Sequence, residues 1–283
     1  MNKHNADLIA EAMRSNVLPW HRPPIVPGCP EVEVMHANTG FPTNSYTNCL
    51  YGGINPLLLN LAARRREFRS KYWATYKQWQ AIGCKVKNRP ETVPEGEWGT
   101  KIVRVEGTTA NTISVFNADQ VFGRFHLKPA SAYQVLAEGM IQDVKYDAVD
   151  EFIEKTGAEI KIGNYKQPRY ERVPKDYICM PWRKRFVNDQ SWYGSNLHEL
   201  VHWSEWRTGW KGSEGQGELI AEMGRGFLEA ILGIPHCTDL TNHNKWVGEW
   251  LREIDSDPSY IYEAATQAEK SVDFLLGRKS QKE

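Results

Sequence analysis

The sequence predicts an α+β protein of two domains, residues 1–128 and 129–283, and three observations lead there. The chain has 283 residues, 41% hydrophobic and 25% charged, which is enough for two ordinary cores. Residues 98–121 carry a strand pattern, while long stretches on either side repeat at helical spacing. The net charge is zero but unevenly spread: residues 1–128 hold 16 Lys and Arg against 10 Asp and Glu, and residues 129–283 hold 19 against 25. The basic front half is therefore expected to meet a polyanion.

In chain order, residues 5–18 read as a helix with Leu8, Ile9, Ala12 and Met13 on one face. Pro19 stops it, and Pro23, Pro24, Pro27 and Pro30 keep the next stretch extended or turning. Trp20 beside Arg22 suits stacking on a base and holding a phosphate, and equally suits a tryptophan that anchors a loop on the core. A turn at Asn38-Thr39-Gly40 and a short strand at Ser45-Tyr46-Thr47 are expected next. Asn55-Pro56 then opens a helix through Leu57, Leu58, Leu61 and Ala62. It ends in Arg64-Arg65-Arg66, where cations favour the macrodipole and form the densest basic cluster of the chain.

Tyr72, Trp73, Tyr76 and Trp79 come directly after it, with Lys77, Lys85 and Lys87 among and beyond them. Aromatic rings beside cations suit single-stranded nucleic acid: every base offers a π-face, and the phosphates supply a salt-dependent term. Thr100–Val105 and Thr112–Phe116 read as strands joined by a turn at Gly107–Asn111, and a domain boundary falls at Phe125–Ala130.

In the rear half, residues 131–157 look helical and Asp176–Pro181 reads as an edge strand against which a substrate could lie. Then comes His198-Glu199-Leu200-Val201-His202. On a helix, positions i and i+4 share a face, so His198 and His202 can bind one Zn²⁺ while Glu199 reaches its open side as general base. Leu197, Leu200, Val201 and Trp203 bury the other faces. A third ligand is available from Glu218 or Glu222, one turn apart on the next helical stretch, with Glu222 twenty residues past His202. Glu218-Leu219-Ile220-Ala221-Glu222 resembles the Glu-x-x-x-Asp continuation of metallopeptidases with a glutamate third ligand. That resemblance makes Glu218 the ligand and Glu222 its support, while the spacing of Glu222 leaves the reverse assignment open. Tyr193 and His236 are candidates for a donor to the transition state. Helices at 244–251 and 260–276 close the domain.

The five cysteines lack paired spacing and read as reduced thiols, and no apolar run is long enough to span a membrane. A cytoplasmic protein without a membrane partner is expected.

The chain as a whole resembles the ArdC-type antirestriction proteins of plasmids and phages. In front the likeness rests on Pro19-Trp20, Gly53-Ile54-Asn55, Tyr72-Trp73-Ala74-Thr75-Tyr76-Lys77-Gln78, Gly83-Cys84-Lys85-Val86 and Phe116-Asn117-Ala118-Asp119-Gln120. In the rear it rests on Asp176-Tyr177-Ile178, the His198–Trp203 stretch and Glu218–Glu222. It implies a single-stranded-DNA-binding domain joined to a zincin-like metallopeptidase domain, acting to protect incoming DNA from restriction. Two alternatives remain open: a zinc metalloprotease that cleaves a host restriction-system protein with DNA as tether, and a binding protein whose zinc is structural.

Overall fold

The computed structural model describes residues 2–21, 40–106, 109–123, 146–234, 236–237 and 240–278. Arg22, the prolines at 23–30, the boundary at 125–130 and the first part of the helix expected over 131–157 lie outside them.

The first helix, α1 (Lys3–Arg14), is capped by Asn2, whose side chain accepts the His4 N–H, and buries Ile9, Ala10 and Met13. The next elements are β1 (Thr43–Asn44), α2 (Asn55–Arg66), β2 (Tyr72–Ala74), α3 (Tyr76–Ala81), β3 (Lys85–Val86), β4 (Thr100–Glu106), β5 (Thr109–Asn117) and β6 (Val121–Phe122). A four-stranded sheet has the order β1-β2-β5-β4, and β3 pairs with β6 beside it. Thr75 starts α3 with a reciprocal capping box to Gln78, and Asn117 does the same with Gln120 in a short 3₁₀ turn. The β4–β5 hairpin is tighter than the sequence suggested. Its ladder runs on to the Glu106–Thr109 pair, so the turn residues expected at 109–111 belong to a strand.

The second half begins with α4 (Asp147–Thr156), β7 (Ile160–Gly163), β8 (Arg169–Glu171) and β9 (Tyr177–Pro181). Four long helices complete it: α5 (Asp189–Glu205), α6 (Glu214–Leu232), α7 (Thr241–Ser256) and α8 (Ser259–Leu275). The sheet order is β7-β9-β8, with β9 parallel to β7 and antiparallel to β8. The strand expected at the edge is thus the central one. Its Ile178, Cys179 and Met180 are buried, as a strand covered by two neighbours requires. The edges are β7 and β8, and the three residues of β8 are too few to show in the sequence.

Helices α5 and α6 pack at close range because Gly224 lacks a side chain. A Cβ there would lie 2.7 Å from Val201 Cγ2. The largest buried cluster joins both halves of the chain: Ile9, Trp20, Phe41, Leu57 and Leu58 pack in it with Leu197, Val201, Leu219, Phe227 and Trp250. Two smaller clusters lie wholly in the front half, one around Trp79, the other holding Leu59, Ala63 and Trp73. Helix α2 accordingly has no polar face over its first turns. Leu57, Leu58 and Leu59 are all buried, the first two toward the large core and the third toward a smaller one.

Candidate functional site

Asn188 caps α5, accepting the Ser191 N–H at 2.8 Å, and the helix then carries His198, Glu199 and His202 to one side of a cleft of about 810 Å³. Ser213 caps α6, which brings Glu218 to the same point. His198 Nε2 lies 3.2 Å from His202 Nε2 and 3.4 Å from Glu218 Oε2, and His202 Nε2 lies 3.7 Å from Glu218 Oε1. Ligands about 2.0–2.1 Å from a tetrahedral ion stand about 3.3 Å apart, so these three fit one ion. Glu222 faces the other side of His198, with Oε1 3.6 Å from Nδ1, while its second oxygen is bound by Arg225. Of the two glutamates, Glu218 stands on the ligating side and Glu222 behind.

Glu205, not foreseen from the sequence, accepts the His202 Nδ1–H at 2.6 Å and fixes that ring's tautomer. A carboxylate three residues past the second histidine was a usable signal, since i+3 shares its face. Burial works against a charge on His202, but the Glu205 and Glu218 carboxylates hold its pKa up to about 10. Burial likewise opposes ionisation of Glu218, and the paired imidazoles overcome it, holding the carboxyl far below its usual range. Glu199 is pushed the other way: burial raises its pKa against the pull of His198 and His202. That is the setting of a carboxylate prepared to take a proton.

Neither predicted transition-state donor faces the cleft. Tyr193 is fully buried, with its hydroxyl donated to Asp150 at 2.8 Å. His236 binds Glu229 through Nδ1 at 2.7 Å and stacks on His21. The cations that do line the cleft are Arg169, Arg172 and Lys245. Arg172 reaches Glu205 Oε2 at 3.3 Å.

The candidate DNA-binding residues divide by burial. Trp20 and Trp73 are 0% exposed, packed in separate cores, so neither presents a face to a base. Tyr72 is half-buried with Lys71 over its ring, and the Arg66 guanidinium is bound by the Trp98 and Glu97 carbonyls. Arg64 is half-buried. Arg65, Tyr76, Lys77 and Lys85 are exposed, and Lys87 lies 5.3 Å from the Phe122 ring while donating to the Asp119 carbonyl. Two further exposed rings were not foreseen from the sequence: Tyr46 at 52% and Phe122 at 61%. Single aromatics in polar surroundings carry no periodic signal.

Two family models match the chain, one in each half. Residues 2–122 match the N-terminal domain of anti-restriction factor ArdC, and residues 147–267 match a zincin-like metallopeptidase domain. Two DNA primases TraC of Escherichia coli are 28% and 27% identical over 96% of the chain, which spans 26% and 19% of their lengths. The uncharacterized protein y4eC of Sinorhizobium fredii is 24% identical over 84% of the chain and 82% of its own length. Among solved structures, the Mn(II)-bound antirestriction ArdC protein from plasmid R388 superposes with a TM-score of 0.71 at 27% identity, covering 99% of this chain and 98% of that one. The metal-free form of that protein gives 0.70.

Proposed function

We propose, from the premise that this chain is an ArdC-type two-domain protein, that it is an antirestriction protein whose front domain binds single-stranded DNA and whose rear domain is a zinc metallopeptidase. The observation that supports the rear half of this reading is the meeting of His198, His202 and Glu218 beside a buried Glu199 on an open cleft. Zn²⁺ held by those three residues supplies Lewis-acid activation of water and of a carbonyl. Glu199 takes the proton of the attacking water, and the water oxygen bonds to the carbonyl carbon. The same carboxyl then hands the proton to the amide nitrogen as the C–N bond breaks. Arg172 and Lys245 border the cleft as donors for the negative charge that develops on the carbonyl oxygen. The substrate in this reading is a host restriction-system protein.

Metal uptake is linked to proton release. A His202 held up to about 10 carries a proton at neutral pH in the metal-free protein, and the ion must displace it. Raising the pH removes that competitor. Zinc affinity is therefore expected to rise about tenfold per pH unit between pH 6 and 8, the slope for one released proton. Titration with a chelating indicator reads this directly, and a flat profile would contradict the proton assignment.

For the front domain we assign DNA contact to the exposed set, Tyr46, Tyr76 and Phe122 with Arg65, Lys77 and Lys85. Tyr76→Ala and Phe122→Ala are each expected to weaken binding of a labelled single-stranded oligonucleotide by about 1–3 kcal/mol, with the melting temperature unchanged. Lys85→Ala should lower the slope of log affinity against log salt by about 0.7. Unchanged affinity in all three variants would move the DNA to another face.

A further inference from the structure

A second cluster of metal-ligand types lies outside the His198 site. We propose that His21, Glu229 and His236 form a second divalent-metal site, at the seam where the N-terminal segment meets α6. One nitrogen or oxygen from each of the three lies within 4.8 Å of the others. Two imidazoles and a carboxylate suit zinc, cobalt or nickel better than magnesium or calcium, which prefer oxygen throughout.

Each residue is placed by a different part of the fold. Glu229 projects from α6 with a side chain that is 0% exposed, its Oε1 accepting the Cys237 N–H at 3.1 Å and its Oε2 meeting His236 Nδ1 at 2.7 Å. His236 belongs to the stretch after α6, and its carbonyl is held by the Gln190 side chain on α5. Its own side chain is 14% exposed, which gives an ion a way in. His21 arrives from the other half of the chain. The Asn60 side chain holds the Pro19 carbonyl at 3.1 Å, and the His21 N–H donates to the Leu18 carbonyl at 3.0 Å. Gly226 lets this segment settle on α6: a Cβ there would lie 2.9 Å from the Trp20 carbonyl oxygen and 3.4 Å from His21 Cδ2.

The observation that points to a ligand is His21 Nε2, a buried ring nitrogen with no hydrogen-bond partner among the described residues. An imidazole nitrogen kept from both water and protein costs free energy, and an ion that takes its lone pair removes that cost. The His21 and His236 rings now stack with centroids 4.3 Å apart and planes 5° from parallel. Binding turns one ring about its Cβ–Cγ bond so that both lone pairs converge, and the proton shared by His236 and Glu229 leaves to solvent. Helix α6 would then serve both metals, with Glu218 at one end and Glu229 three turns on. The second ion would fasten the N-terminal segment to that helix.

The test is a count. The wild-type protein, stripped with chelator and dialysed, is titrated with cobalt(II) chloride and with zinc, monitoring the cobalt d–d absorbance and the metal content. Two equivalents are expected in wild type, one in the His198→Ala/His202→Ala double variant, and none when His21→Gln is added to it. Circular dichroism and the melting temperature establish that each variant is folded. A wild-type protein that saturates at one equivalent, lost in the His198→Ala/His202→Ala variant, would overturn the proposal, whereas one equivalent kept there and lost with His21→Gln would overturn the first site instead. A folded double variant that binds no cobalt would also overturn the proposal.

Discussion

Glu199→Gln is expected to lower peptide hydrolysis by about 10²–10⁴-fold while the bound metal stays in place, which is the range a positioned acid–base group contributes. Glutamine has the shape of glutamate, so the buried position remains filled. What it loses is the ability to take a proton from water and give it to the leaving amine. Glu218→Gln should behave differently: with the carboxylate near both His198 and His202 proposed as a ligand, metal content is expected to fall with activity. Measuring turnover of a fluorogenic peptide mixture and metal content on the same samples separates the two roles. Hydrolysis that survived Glu199→Gln with metal bound would sink the general-base assignment.

Trp20→Ala is expected to destabilise the protein by about 3–5 kcal/mol, the usual cost of emptying a fully buried tryptophan site. The ring is packed edge-on against Trp250, with centroids 6.4 Å apart and planes at 80°, and His243 stands 6.0 Å from it on another side. The two ring neighbours, His243 and Trp250, both sit on α7, and Gly226 of α6 borders the ring on another side. Urea unfolding would read the loss as a lower midpoint at an unchanged slope. Oligonucleotide affinity of the variant, measured well below its transition, should match wild type. A stable Trp20→Ala protein with weakened DNA binding would instead return this ring to the interface.

The candidate metal cluster was the most legible arrangement in the sequence, because its information is local. Helical spacing alone puts His198 and His202 on one face, and the same rule one step further would have named Glu205. The choice between Glu218 and Glu222 was harder, since both lie on one face of α6. Their distances separate them: Glu218 stands 3.4 Å from His198 Nε2 and 3.7 Å from His202 Nε2, whereas Glu222 stands 3.6 Å from His198 Nδ1. The aromatic cluster at 72–79 could not be sorted by composition. Tyr76 and Trp73 have similar neighbours in sequence, yet β2 places one ring inside the sheet's core and α3 leaves the other at the surface. The edge strand was missed for a related reason: three residues pairing on one side show no alternation, whereas the covered strand beside them reads as a clean apolar run. His21, Glu229 and His236 are separated by up to 215 residues and had no common signal in the chain.

The shared core around Leu57 and Trp20 bears on inheritance as well as stability. A gene segment that encoded only the front half would yield a product with Ile9, Phe41, Leu57 and Leu58 bare to water, and one that encoded only the rear would bare Phe227 and Trp250. Either fragment would be prone to clump before it could be selected for anything. The pair is therefore expected to pass into longer polypeptides as one cassette, cut outside both domains. The TraC primases fit that rule, since their matching stretch takes in nearly all of this chain at once.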